Sequence, residues 1–192
     1  MASNTIDPIR IQLPPELFEP AAFRSYEGRL ELPILTLGPD IYEVLGPVEW
    51  HADITNTGDA FLVTGSAEAD VKGACARCLE DVNLHLIGEI EGYYLRSDGE
   101  EPPEDIEEDE YEVMGEDNTI ELLPLIQTAL LLELPYLPLC REDCAGICPD
   151  CGTNLNEGTC DCSSKKEEEA FNQSPFAILK NLKIEDRPSD NE

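Results

Sequence analysis

Apolar and polar side chains alternate along much of the chain between Val48 and Leu95. Val48, Trp50, Ala52 and Ile54 are interleaved with Glu49, His51 and Asp53, the period of a half-buried strand. Asn56, Thr57, Gly58 and Asp59 supply turn chemistry. A second strand is expected from Ala60 to about Val71. A third is expected from about Leu79 to Leu95, with Val82, Leu84 and Leu86 on one face. Between them lies Cys75-Ala76-Arg77-Cys78, and a Cys-x-x-Cys turn joining two antiparallel strands has the shape of a zinc knuckle. Residues 1–47 are Pro-rich with short apolar pieces, and the pattern says only that they are partly extended.

After residue 95 the period changes. Leu122 to Glu133 has the apolar density of a helix with little polar surface, so it is expected to lie largely buried against the sheet. Pro124 is tolerable in its first turn, and Pro135 and Pro138 stop it. Residues 98–112 read DGEEPPEDIEEDEYE, with ten acidic positions and no basic one, which predicts a flexible solvated loop. Residues 140–162 are rich in cysteine and poor in apolar residues. A polar linker follows, and Ser174-Pro175 opens a short helix with Phe176, Ile178, Leu179 and Leu182 on its apolar side. The expected architecture is α+β: an antiparallel sheet with one buried helix, a zinc-stapled segment and a short C-terminal helix. Its parts are an extended region 1–47, a core 48–139, a metal-binding segment 140–162 and a tail 163–192.

Charge narrows the partners. Twelve Lys+Arg stand against 42 Asp+Glu in 192 residues, a formal charge of −30. Tight binding of bare nucleic acid needs clustered positive charge, so it is not expected. Such a chain attracts basic partners, although acidity also serves solubility alone. The opening residues MASNTIDPIR show no signal-peptide pattern, and the longest apolar stretch is too short and mixed to span a bilayer. The expectation is a soluble cytoplasmic protein with no membrane role.

In that compartment thiols stay reduced, so eight cysteines read as metal ligands rather than disulfides. They are spaced Cys75-x2-Cys78, Cys140-x3-Cys144-x3-Cys148-x2-Cys151 and Cys160-x-Cys162. Four thiolates around one tetrahedral zinc ion are a standard structural solution, and eight make two sets. Three partitions compete. Favoured is a local site of Cys148, Cys151, Cys160 and Cys162, because a fifteen-residue segment closes at low loop entropy. Cys75, Cys78, Cys140 and Cys144 then form a long-range site. The others pair the two knuckles, Cys75/Cys78 with Cys148/Cys151, or place Cys140, Cys144, Cys148 and Cys151 on one ion. Eight thiolates and two zinc ions change the charge by −8 and +4, from −30 to −34. A redox dithiol at Cys75/Cys78 is disfavoured by its position between strands, and an iron–sulfur cluster is a lesser alternative. Catalytic zinc would want an open site with His or carboxylate. The two histidines, His51 and His85, fall on the polar faces of their strands and are expected in solvent. No nucleotide-binding, hydrolase or deaminase motif is present in the sequence. The expectation is a protein that is not an enzyme.

Three motifs then coincide: CARCLE (Cys75 to Glu80), CAGICPDCGTNLNEGTCDC (Cys144 to Cys162) after a Leu-rich helix, and SPFAILKNLK (Ser174 to Lys183). Together they resemble the YceD family of large ribosomal RNA subunit accumulation proteins, over roughly residues 40–183. The resemblance implies a bacterial or plastid-type protein needed for normal 23S ribosomal RNA levels. It also implies a gene often found beside that of a small basic large-subunit ribosomal protein, and it carries the cysteines over as zinc ligands. No catalytic residue is implied. The expected function is a non-catalytic factor in large-subunit biogenesis. Its expected partner is a basic ribosomal protein or pre-ribosomal particle. The alternative is a thiol-redox or metal-dependent enzyme.

Overall fold

The computed structural model describes residues 8–96, 111–115 and 117–162. These divide into two compact units, one within Met1–Ala76 and Glu80–Cys140, the other within Arg77–Leu79 and Arg141–Glu192.

Among the described residues of the first unit, nine strands and one helix follow in chain order. They are β1 (Arg10–Gln12), β2 (Phe23–Leu30), β3 (Ile34–Leu37), β4 (Asp40–Val44), β5 (Val48–Asn56), β6 (Ala60–Ala74), β7 (Asp81–Leu95), β8 (Tyr111–Val113), β9 (Thr119–Glu121) and α1 (Leu123–Leu132). A single 3-10 turn, Pro15–Phe18, follows β1. The main sheet runs β2-β5-β6-β4-β3, with β7 along the other side of β6 and β8 parallel to β7. β1 and β9 form a separate antiparallel pair.

The long β6–β7 hairpin organises the unit. Its register runs unbroken from Ala60↔Leu95 to Ala74↔Asp81. The alternation in its sequence is why. Val63, Ala67, Ala69 and Val71 on β6, with Leu86, Ile90 and Tyr94 on β7, are buried on one face. A one-residue slip would turn that whole set outward. The core continues through Val48, Ala52 and Ile54 of β5, and through Ile11, Leu13, Leu17, Ile120 and Leu122. Asn56 is a buried polar residue among them, and both its amide hydrogens and its carbonyl oxygen have partners. Its amide donates to the carbonyls of Leu17 and Glu19, both at 3.0 Å, and its Oδ1 accepts the Gly58 N–H at 2.8 Å.

Three expectations need correction. Residues 8–47, extended in part, do not stand apart from the core. β2, β3 and β4 lie within them and pair into the same sheet as β5 and β6. Their short strands and prolines hid a pairing that long-range partners decide. The helix is half-buried rather than buried. Ile126, Ala129 and Leu130 are covered, but Leu132 is 77% exposed. An all-round apolar sequence gave no stripe from which to read that. The acidic run was drawn two residues too long, because Tyr111 and Glu112 belong to β8. Residues 98–110 lie outside the described residues, as do the linker and the C-terminal helix expected at 174–183.

Helix α1 crosses β7 closely because Gly88 has no side chain. A Cβ there would stand 2.2 Å from the Ala129 carbonyl oxygen. No helix among the described residues is long and apolar enough to cross a membrane. His51 and His85 are exposed, on the polar face of the sheet, as expected.

Candidate metal centres

The first cysteine pair sits in the loop at the tip of the β6–β7 hairpin. The Cys75 N–H donates to the Glu80 carbonyl at 2.8 Å, closing the loop on itself. The Ala76 N–H donates to the Pro138 carbonyl at 2.8 Å, which brings the chain just before Cys140 alongside. Leu79 has a φ of 64°, a left-handed conformation that a branched apolar residue seldom adopts. It closes the Cys-x-x-Cys turn, and its side chain is 65% exposed.

The second unit is built from short polar links. The Arg77 guanidinium donates to the Cys144 carbonyl at 2.9 Å, and the Ile147 N–H donates to the Arg77 carbonyl at 3.1 Å. Cys148 and Cys151 lie on a tight turn. Within it the Gly152 N–H reaches the Cys148 carbonyl and the Cys148 N–H reaches the Thr153 carbonyl, both at 2.9 Å. Gly152 has a φ of +72°, which only glycine adopts without strain.

The eight sulfurs form two groups: Cys75, Cys78, Cys140 and Cys144, and Cys148, Cys151, Cys160 and Cys162. Within each group the sulfurs all lie within 4.8 Å of one another. A tetrahedron with metal–sulfur bonds near 2.3 Å has edges of roughly 3.8 Å, so modest adjustment closes either group on one ion. Four thiols, with no other donor grouped with them among the described residues, suit a closed, soft-ligand site. This is the favoured partition of the three. The other two combine ligands from different groups. All eight cysteines are free of disulfides.

The groups differ in exposure. Cys75, Cys78 and Cys144 are buried and Cys140 is exposed, whereas in the second group only Cys148 is buried. The open group is electrostatically uneven. Hydrogen bonds from the hydroxyl and N–H of Thr153 pull the Cys151 thiol down to about 6. The hydrogen bond with Cys151, aided by desolvation, pushes the Cys162 thiol up to about 12. One sulfur therefore gives up its proton more readily than its neighbour.

Sequence reasoning missed Asn156. Its Oδ1 accepts from the Arg141 guanidinium at 2.6 Å and from the Ala145 N–H at 2.8 Å. Its amide donates to the Cys144 sulfur at 3.3 Å and to Asn154 Oδ1 at 2.9 Å. It therefore orients a candidate ligand as an outer partner does in a metal site. The available signal was Asn-x-Asn between two cysteine pairs, where polar side chains bridge turns.

An antiparallel sheet, a single helix and two four-cysteine groups compatible with metal binding, all among the described residues, define an α+β protein of the cysteine-rich class. The chain belongs to the YceD family. The family model "Large ribosomal RNA subunit accumulation protein YceD" matches residues 63–183. An uncharacterized protein of Mycobacterium tuberculosis (strain H37Rv) is 38% identical over 102 residues, 53% of this chain and 48% of the relative. One of Mycobacterium leprae is 32% identical over 119 residues, 56% of this chain and 52% of the relative. The chain spans about half the length of the curated relatives it matches. No solved structure matches it.

Proposed function

We propose that this protein is a non-catalytic factor of the cytoplasm that supports large ribosomal subunit biogenesis and 23S ribosomal RNA accumulation. It acts by holding a basic ribosomal protein, alone or on a pre-ribosomal particle, rather than by gripping bare RNA. Two zinc ions, one on each four-cysteine group, are its structural cofactors. Family membership supports the biological process. The observation that carries the choice of partner is the charge: −30 before any metal is counted. Long-range attraction of that size steers cationic proteins inward and opposes phosphate. Zinc supplies no chemistry in this reading. The thiolates are consumed as ligands, and each site is closed.

The test is a binding assay with naked 23S RNA and with basic large-subunit proteins, run across salt. The expected result is binding to proteins that weakens as salt rises. Submicromolar affinity for the RNA alone at physiological salt, with none for the proteins, would overturn the reading.

A further inference from the structure

The strand register aligns acidic side chains in rows on the exposed face of the sheet. Along β6, Val63, Ala67, Ala69 and Val71 turn inward, while Thr64, Ser66, Glu68 and Asp70 turn out. The register then lays out rows across the outer face. Glu27, His51, Ser66 and Glu89 form one row, and Ser25, Asp53, Thr64 and Glu91 the next. A third row is Arg29, Glu49, Glu68 and Ile87. Arg29 and Lys72 are cations on this face, and both are already engaged. Arg29 pairs with Glu49 at 2.6 Å and Lys72 with Glu43 at 3.2 Å. His85 lies 2.9 Å from Asp70 and 3.4 Å from Glu68. Among the described residues, Glu27, Glu89 and Glu91 have no ion-pair partner.

Acidity alone would only solvate this surface. At its α1 end, however, it meets a cleft of about 540 Å³. Leu62, Tyr93, Leu125 and Leu132 line the cleft, and Glu89 and Glu91 belong to the same lining. Leu132, on the uncovered side of α1, is 77% exposed, so the apolar wall continues into solvent. We propose that this cleft and the acidic face beside it dock a basic protein segment carrying apolar anchors. The inference rests on the reading above that the partner is a basic protein, and it assigns the surface. Apolar anchors fill the cleft and leave water, while Lys or Arg side chains neutralise Glu89 and Glu91. A second copy of this chain would bring the same carboxylates to the same place and be repelled.

The experiment uses the full-length, metal-loaded protein and two fluorescent probes. One is a 20-residue peptide of Lys, Arg and Leu, and the other has every Leu replaced by Ser. Glu89→Lys/Glu91→Lys is expected to weaken the Leu-containing peptide about tenfold at low salt. Glu16→Lys/Glu19→Lys, the same change in charge elsewhere on the first unit, is expected to change it less than about twofold. Leu132→Ser, at an exposed position where folding is not at stake, is expected to weaken only the Leu-containing peptide, by about threefold. Equal losses in both charge-reversed variants would show attraction to net charge alone and overturn the proposal. So would no loss in either face variant, or a dimer in light scattering that Leu132→Ser dissolves. A parallel capture of basic proteins from dissociated large subunits separates the two ideas. Equal capture by wild type and Glu89→Lys/Glu91→Lys would reject this surface and leave the proposed function standing. No capture by wild type would reject both.

Discussion

The sheet and the segment 141–162 are held by different physics. The sheet and its helix bury Phe61, Ile54, Val63, Ile90 and Leu130 essentially completely, around a hairpin whose two strands are 15 residues each. Each such side chain contributes about 1.5–3 kcal/mol on leaving water. In the segment 141–162, Cys144 and Cys148 are the buried hydrophobic side chains. Ile147 and Leu155 are only half-covered. What remains is turns, an isolated bridge between Ile147 and Asn154, and side-chain amides. A chain with so little apolar burial cannot offset the entropy of ordering its backbone, about 1–2 kcal/mol per residue. The comparison teaches that the cysteines stand in this segment where apolar side chains stand in the sheet, in groups that could hold metal ions.

The largest expected effect is therefore metal removal. With two zinc ions bound, a strong chelator should unfold 141–162, read as hydrogen exchange, while β5, β6 and β7 stay protected. Loss should be biphasic, because three of the four sulfurs in the Cys148 group are accessible and only one in the Cys75 group is. A native preparation carrying under one equivalent of zinc by elemental analysis would break the comparison. So would a sheet that loses protection first.

Single ligands should divide the two groups. Cys160→Ser is expected to lose one of two metal equivalents and leave the sheet folded. Cys75→Ser should lose the other and disturb the hairpin tip, since its N–H bond to Glu80 and its buried position belong to the sheet's own hairpin. Elemental analysis with exchange mapping reads both. Loss of both metals from either variant would mean the groups share ligands.

How far this was legible beforehand follows the same division. The hairpin strands were readable because alternation over many residues admits one register. The groups of sulfurs were readable because loop entropy favours Cys148 to Cys162 closing locally. The first four strands were not, because three to eight residues with interleaved prolines carry too little pattern, and their pairing depends on partners far away. Helix α1 illustrates the opposite failure. Ten residues, nearly all apolar, announce a helix but not which side is covered. Leu132 became visible as a surface residue only once Gly88 and Ala129 fixed the crossing. Asn156 escaped because an amide's role depends on the four groups it meets.

Asn156 gives a smaller effect that sharpens the contrast. Asn156→Ala removes the donor to the Cys144 sulfur and leaves the Arg141 guanidinium and Ala145 N–H to water. A loss of about 10- to 100-fold in metal affinity is expected at the Cys75 group. Competition with a chromophoric chelator measures it. An Asn156→Asp variant should restore the two acceptor contacts but not the bond to sulfur. Unchanged affinity in the alanine variant would make Asn156 a turn residue only.

The smallest effect uses a histidine on the sheet as a reporter. The His85 pKa is raised above the ordinary value, first by its hydrogen bond to Asp70 and further by the charges of Asp70 and Glu68, with desolvation opposing. A raised folded value means that the imidazolium is favoured by the native sheet. Its contribution to stability is therefore fully present below the unfolded value, about 6.5, and fades as pH rises through the higher folded one. The ring is exposed, so the contribution is slight, but its titration depends on the register that sets Asp70 opposite His85. Asp70→Asn should lower the His85 midpoint, measured from imidazole proton shifts. Chelating the metal of the Cys148 group should leave that midpoint where it was, because the residues that set it belong to the apolar-cored sheet. A midpoint that falls with the first metal lost would show that the sheet draws its stability from the sulfur-held segment after all.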